Sequence, residues 1–173
     1  QHNQEGLAAP VVSLPIQGNV VASGVSATRQ LTALVGGAST TTITLRLAWS
    51  ALGSRVRLRV DPSTLPAERY RTLTLRVGQS TEASNAANQD QDFTLEVSSG
   101  SRTAAIPASS LHRLLYPDSP PFGPAKIVMQ TLRLPVSQLA ECGVDASDLR
   151  SIALVFDRRA TGTVYVGDVQ FSN

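Results

Sequence analysis

The chain is poor in the residues that usually build a reaction centre or a crosslink. Cys142 is the only cysteine, so neither an internal disulfide nor a thiolate metal cluster can form, and we expect a small buried residue in a turn. The two histidines, His2 and His112, lack a paired serine or cysteine motif, and no G-x-S-x-G elbow or glycine-rich phosphate loop occurs. The acids stand singly in turns, mostly at Asp61, Asp118, Asp145, Asp148 and Asp157. The sequence therefore predicts that the chain is not an enzyme.

Aromatic residues, lysine and long apolar runs are also scarce. Aromatics make up 5% of the chain, which predicts a core of Val, Leu and Ile and disfavours a broad stacking platform for crystalline polymer. Lys126 is the only lysine, and the formal net charge of +2 is too small to indicate a nucleic-acid partner. No segment approaches the ~20 apolar residues of a membrane span. The 173 residues suffice for one domain with a substantial core.

What the chain does contain is a series of short segments with a period of two. In TTITLRLAW, RVRLRV and TLTLRV, aliphatic residues alternate with Thr and Arg, and DFTLEV and RTAAI flank a glycine-containing connection. Trp49 has the parity of the inward residues, so we expect it in the core. Turn signals recur between these segments, which is typical of an antiparallel sandwich or jelly roll. Residues 1–24 are interpreted as a linker or an added N-terminal strand, and residues 25–173 as the sandwich domain.

The last third of the chain gives the clearest strand pattern. A strand covers KIVMQTLRL, Pro135 ends it, and a turn with a short helical piece follows. Asp145 and Ser147 are expected to cap that turn before Leu149. Two further strands, SIALVF and TVYVGDVQF, are joined by a turn in which Gly162 supplies conformational freedom.

These residues also carry a family resemblance. The run MQTLRLPVSQLAECGVDASDLRSIALVFDRRATGTVYVGDVQF resembles the C-terminal segment of galactose-binding-like jelly-roll β-sandwiches, and RTLTLRVGQ with NQDQDFTLEVSSGSR looks like their middle strands. The family pattern includes T-x-R-[IL]-P and [LV]-x-F-D-R followed by G-x-[IV]-x-[VI]-x-D. The resemblance implies an all-β, antiparallel jelly-roll β-sandwich, the fold of many carbohydrate-binding modules and accessory domains of secreted bacterial hydrolases.

Three functions follow from that resemblance. The first is a secreted, non-catalytic accessory domain that binds polysaccharide or oligosaccharide beside an upstream catalytic domain of the same polypeptide. The second is a purely structural domain that packs on a hydrolase and stabilises it without binding sugar. The third, which the missing catalytic motifs disfavour, is a lyase or hydrolase with a site on its concave face.

Two loops hold the residues suited to a sugar ligand. An aromatic face packs on the apolar side of a sugar ring, and planar polar groups bond its hydroxyls. The Pro-rich loop 115–124 offers Tyr116 and Phe122, which either stand exposed or fold back as a lid over the core. Loop 79–91 offers polar side chains, which otherwise belong to a solvated loop: Gln79, Asn85, Asn88, Gln89 and Asp90.

The arginines form a second candidate surface. Six arginines take the outward parity of their strands: Arg46, Arg55, Arg57, Arg59, Arg76 and Arg133. Of these, Arg57 and Arg76 are the expected ligand contacts. If these strands are neighbours in one sheet, they form a basic face for an acidic polysaccharide or a partner domain, because guanidinium groups pair bidentately with carboxylate or sulfate. The alternative is a solvated sheet face whose arginines prevent aggregation.

A structural Ca²⁺ is the one cofactor that the resemblance implies. Galactose-binding-like sandwiches often hold this ion with an acidic residue of the last strand, and Asp168 stands at the second position of their frequent Asp-Asp pair. Gly167 replaces the first aspartate, which removes one carboxylate from an ion that takes six to eight oxygens. Asp168 is therefore the single expected metal ligand.

Overall fold

The protein folds into two antiparallel β-sheets packed face to face. The computed structural model describes residues 12–14, 20–33, 41–117, 127 and 129–173. The strands are β1 (Val12–Ser13), β2 (Val20–Ser23), β3 (Val25–Ala33), β4 (Thr41–Trp49), β5 (Ser54–Arg59), β6 (Thr72–Gln79), β7 (Thr94–Ser99), β8 (Thr103–Pro107), β9 (Gln130–Pro135), β10 (Leu149–Phe156) and β11 (Gly162–Ser172). Two short helices, α1 (Ala108–Leu111) and α2 (Val136–Glu141), and two 3-10 turns (Ala67–Arg69 and Ala146–Asp148) connect them.

The strand order confirms the predicted all-β jelly-roll sandwich. The six-stranded sheet runs β3-β4-β11-β6-β9, and β1 pairs with the C-terminal part of β11, where Val12 opposes Phe171. The five-stranded sheet runs β2-β5-β10-β7-β8. Each described strand pair is antiparallel, as alternation of apolar and polar residues favours. Within the described residues, no helix is long and apolar enough to cross a bilayer.

The core lies between the two sheets and follows the period of two. Leu73, Leu75 and Val77 of β6 are fully buried, while the residues between them lie on the outer face. Three aromatic residues, Trp49, Phe93 and Phe156, form a cluster at one end of this core. Trp49 is 4% exposed and stacks on Phe156 with ring centroids 3.9 Å apart, as its strand parity predicts for a core residue.

Two turn residues differ from expectation and one agrees with it. The Asp145 carboxylate accepts hydrogen bonds from the Ser147 backbone N–H (2.9 Å) and hydroxyl (2.7 Å), so the predicted cap is present. Gly162 does not have a positive φ; it is needed because a Cβ there would lie less than 3.0 Å from the Trp49 ring. Cys142 is exposed rather than buried, because it follows α2 at the surface.

The N-terminal segment contributes to both sheets. Within residues 1–24, β1 pairs with β11 and β2 pairs with β5, while residues 1–11 and 15–19 lie outside the described part of the chain. Leu14 and Val20 are partly buried against the core. These strands therefore add an edge to the five-stranded sheet and extend the six-stranded one.

Four connections meet at the end of the sandwich that holds the aromatic cluster. The strand registers Trp49↔Gly162, Gln79↔Val164 and Ser54↔Phe156 place them together. We call this the loop end and define it as segments 50–53, 80–93, 108–117 and 157–161. It collects residues that are far apart in sequence and therefore determines the candidate site.

Candidate functional site

A cleft opens at the loop end between segments 80–93 and 108–117. Its volume is about 330 Å³, and its described lining residues are Asn88, Asp90, Leu115 and Tyr116. Three of the residues predicted from sequence as sugar contacts, Tyr116, Asn88 and Asp90, thus share one cleft. Phe122 lies outside the described residues.

The floor beneath the cleft depends on Gln79. This side chain is 2% exposed, and its Nε2 donates to the backbone carbonyls of Gln89 (3.0 Å) and Leu114 (2.8 Å). One amide therefore ties together the two segments that form the cleft walls, while its Oε1 has no hydrogen-bond partner within the described residues. Gln79 was predicted as a ligand contact, but its burial gives it a positioning role instead.

Asn85 fixes the same segment to β11. Its Nδ2 donates to the carbonyls of Ser80 and Thr163 (both 2.9 Å), and its Oδ1 accepts from the Thr163 N–H (2.8 Å) and from Gln91 Nε2 (3.1 Å). The side chain is 5% exposed, so these bonds form in a desolvated environment where losing them is costly. The loop is therefore anchored at its base, while residues 86–89 are exposed to solvent.

Two arginines that the sequence did not single out surround the cleft. Arg113 Nε donates to Asp90 Oδ2 at 2.7 Å, and Arg159 donates to Gln89 Oε1 at 2.6 Å and to the Asp90 carbonyl at 3.2 Å. The Arg113 side chain is 73% exposed, so its remaining N–H groups face solvent beside the cleft. Both arginines are far from residues 89 and 90 in the sequence, so a local sequence pattern could not predict these contacts.

The cleft combines an apolar wall with polar groups of fixed orientation. Leu115 is 47% exposed and adjoins Tyr116, whose ring is partly accessible. Asn88 has a φ of +58°, a left-handed conformation that asparagine tolerates and that orders the turn carrying its amide. An aromatic ring, an amide and a carboxylate around a small cleft suit an uncharged, hydroxyl-rich ring.

The outer face of the six-stranded sheet carries a second polar cluster of Arg46, Glu82 and Tyr165. Arg46 Nε donates to Glu82 Oε1 at 3.1 Å, Arg46 Nη2 donates to Glu82 Oε2, and the Tyr165 hydroxyl donates to Glu82 Oε1. The hydrogen bonds from Arg46 hold the pKa of Glu82 below its usual value, and the same bonds raise the pKa of Arg46. Burial and then the Glu82 hydrogen bond raise the pKa of Tyr165.

This cluster attaches the loop end to the sheet face and leaves no ring free to stack. Tyr165 is 4% exposed, and it is the only aromatic residue on the outer face of the described strands of this sheet. Glu82 belongs to segment 80–93, so its bonds hold that segment across the face. A stacking contact to a ligand is thus available in the cleft and not on this part of the sheet.

The surroundings of Asp168 do not fit a calcium ion. Asp168 Oδ2 lies 3.6 Å from Arg76 Nη1, so a cation of the protein already accompanies the carboxylate. Calcium takes six to eight oxygen ligands, and no group of three or more His, Cys, Asp or Glu side chains occurs in the described ranges. The predicted Ca²⁺ therefore stays without a ligand set, and Arg76 is a partner of Asp168 rather than a free cation.

The six outward arginines do not form one face. Three lie on the outer face of the six-stranded sheet (Arg46, Arg76 and Arg133), and three lie on β5 in the five-stranded sheet (Arg55, Arg57 and Arg59). His112 is exposed, and its Nδ1 lies 2.8 Å from the Arg113 carbonyl oxygen; no carboxylate or nucleophile among the described residues hydrogen-bonds to its ring. These arginines therefore point outward as predicted, but the two groups of three lie on different sheets.

Comparison with solved structures identifies the fold. A family 11 carbohydrate-binding module from Clostridium thermocellum, solved in complex with β-1,3-1,4-mixed-linked tetrasaccharide, matches with a TM-score of 0.56 at 9% identity over 94% of both chains. The family 11 module of a cellulosomal cellulase from the same organism matches with a TM-score of 0.52 at 9% identity, over 94% of this chain and 93% of that one.

An enzyme structure contains the same fold as a part. An exo-β-agarase matches with a TM-score of 0.53 at 13% identity, over 92% of this chain but only 24% of the agarase. No family model matches the sequence, and no curated protein matches it. At these identities the likeness concerns the fold alone: the chain has the two-sheet, antiparallel β-sandwich fold seen in carbohydrate-binding modules.

Proposed function

We propose that this domain binds carbohydrate in the loop-end cleft. The observation that carries the proposal is the convergence of Tyr116 and Leu115 with Asn88 and Asp90 around one cleft of about 330 Å³. The apolar wall can pack on the C–H face of a sugar ring, and the amide and carboxylate can bond its hydroxyls. The volume is at the lower end of the range of small-ligand sites, which suits one or two rings of a polysaccharide or oligosaccharide.

The role we propose is that of a non-catalytic accessory domain in a secreted bacterial enzyme. Hydrolysis of a glycosidic bond requires two carboxylates across the bond, and Asp90 is the only carboxylate among the described lining residues. Its hydrogen bond from Arg113 further holds it in place. The likeness to modules of a cellulosomal cellulase and to a quarter of an agarase supports a place beside a catalytic domain.

The affinity should be modest because one aromatic ring, Tyr116, lines the cleft among the described residues. A single aromatic contact contributes about 0.5–1.5 kcal/mol beyond buried area, so we expect dissociation constants in the micromolar to millimolar range. A module of this kind would hold its enzyme near a polymer by rebinding along the surface rather than by one tight contact.

Alanine variants of two cleft residues, with a matched leucine control outside the cleft, test the proposal. Affinity electrophoresis against a panel of neutral glycans, followed by titration calorimetry, should show about three- to tenfold weaker binding for Leu115→Ala and Tyr116→Ala. Leu52→Ala is the control, because Leu52 is also an exposed leucine of the loop end (61% exposed) but is not among the cleft's described lining residues. Its dissociation constant should equal that of the wild type.

Three results would contradict the proposal. Absence of retardation on every glycan would leave the structural alternative, a domain that packs on a hydrolase without binding sugar. Equal weakening by Leu52→Ala and Leu115→Ala would show that the cleft is not the site. Turnover of a glycan that Asp90→Asn abolishes would instead establish an enzyme.

A further inference from the structure

The outer face of the five-stranded sheet carries a straight row of arginines. Arg55, Arg57 and Arg59 alternate along β5 with the buried residues Val56 and Leu58. Residues two apart in a strand are separated by about 6.4–6.8 Å and point to the same side. Three guanidinium groups therefore repeat at a regular spacing along one line.

Two of these three cations have no ion-pair partner among the described residues. Arg55 Nη1 lies 3.6 Å from Glu96 Oε2, which partly neutralises it. Arg57 and Arg59 are exposed, and neither has an ion pair or side-chain hydrogen bond to another described residue. Exposed cations that make no internal contact contribute little to stability, and they remain available to an external anion.

The strands beside the row present a flat and small-sided surface. In register with Arg57 lie Val21 on β2 and Ala153 on β10, and in register with Arg59 lies Ser151. Farther across the sheet come Ser98 and the residues of β8, where Thr103 and Ala105 point outward. Glu96 of β7, in register with Ala153 and Ala105, is the only acidic side chain on this face of the described strands, and it already pairs with Arg55.

The same surface disfavours the other classes of anionic partner. Single-stranded nucleic acid binds with bases stacked on aromatic rings, and the described outer face of this sheet has no aromatic residue. A protein interface generally needs a central aromatic or apolar anchor in a pocket, and the one exposed large aliphatic side chain on the described strands of this face is Val21, at the edge strand β2. What remains is a linear polymer with a charge on its repeating unit.

We propose that this face binds an acidic polysaccharide through Arg57 and Arg59. Each guanidinium fork pairs with a carboxylate or sulfate of the polymer, and the row aligns with the chain direction. The row lies on β5, whereas the cleft lies between the loop-end segments 80–93 and 108–117, so it is a second site that acts independently of neutral sugar binding. Because the formal net charge is only +2, the attraction comes from this local row and weakens with salt.

The test compares two double variants of equal charge. Binding of the full chain to polygalacturonate, dextran sulfate and uncharged dextran is measured by affinity electrophoresis at low and at high salt. Arg57→Gln with Arg59→Gln should weaken binding to a charged polymer about tenfold. The control is Arg69→Gln with Arg71→Gln, an exposed pair of the same spacing in the β5–β6 connection, and it should change binding less than about twofold.

The two acidic probes separate the sources of the charge, and a third probe tests specificity. Retardation by polygalacturonate alone assigns a carboxylated polymer, and retardation by dextran sulfate alone assigns a sulfated one. Equal loss in both double variants, weaker retardation by uncharged dextran in the Arg57/Arg59 double variant, or equally tight binding of single-stranded DNA overturns the proposal. Because Tyr116→Ala should leave this binding unchanged, a failure of the neutral-sugar cleft does not affect the outcome. Thermal unfolding of each variant verifies that the fold is intact.

Discussion

At the scale of single residues, Glu82 contributes stability that depends on pH. Its pKa is lowered chiefly by the hydrogen bonds from Arg46, so the folded state favours the charged form. The resulting stability is present above the ordinary pKa of 4.5 and is lost as the pH falls through the lower folded value. Tyr165 acts in the opposite range, since its raised pKa gives stability that is lost as the pH rises above 10.

We therefore expect acid to destabilise the wild type more than a Glu82→Gln variant. Urea unfolding at about pH 6 and about pH 3.5 should show a smaller loss of unfolding free energy for Glu82→Gln, because that variant has no carboxylate to protonate. Glu68→Gln is the control, since Glu68 is exposed on the 3-10 turn and bonds to neither Arg46 nor Tyr165. If all three proteins lose the same free energy, the Glu82 cluster does not stabilise the fold.

At the scale of the element, the first residue of β11, Gly162, has no space for a side chain because the Trp49 ring packs against it. A Cβ on Gly162 would lie less than 3.0 Å from two Trp49 ring carbons and from Gln91 Nε2, all of them packed in the interior. The ring cannot move aside easily, because it stacks on Phe156 and its Nε1 donates to the Arg159 carbonyl at 2.9 Å.

Gly162→Ala should therefore destabilise the protein by about 1–3 kcal/mol in chemical denaturation. Gly100→Ala is the matched control. There the added Cβ would approach Asp148 Oδ2, the end of a side chain at the surface that can rotate away, so the loss should be below about 1 kcal/mol. Equal losses in the two variants would show that the Trp49 packing adapts and that Gly162 is not required for it.

The same elements show which features of the structure could be predicted from the sequence. Strand positions and faces follow from period two, so β5, β6 and the core place of Trp49 were predicted correctly. Alternation does not encode strand order, so it could not separate Arg57 on one sheet from Arg76 on the other.

Only part of the candidate site could be predicted from the sequence, for a related reason. Residue type was enough to single out Tyr116, Asn88 and Asp90 in two loops. It could not show that Gln79 is buried between those loops, or that Arg159 reaches Asp90 across 69 positions, because both depend on long-range packing.

At the scale of the whole molecule, the N-terminal segment adds to a sandwich whose main contacts do not need it. The pairings within β3-β4-β11-β6-β9 and β5-β10-β7-β8 all lie in residues 25–173. The described residues of the preceding segment contribute β1, β2 and the partly buried Leu14 and Val20. Removing them exposes the edge of β5 but leaves the core cluster between the sheets in place.

A variant lacking residues 1–24 should therefore fold cooperatively with an unfolding free energy about 2–3 kcal/mol lower, since two aliphatic side chains lose their partial burial. Fluorescence of Trp49, the single tryptophan, reports the transition from inside the core. Deleting residues 1–11 alone is the control, because it retains both described strands. An unfolded 25–173 fragment would place the domain boundary before residue 25, whereas unchanged stability would mean that β1 and β2 only cover an edge without stabilising it.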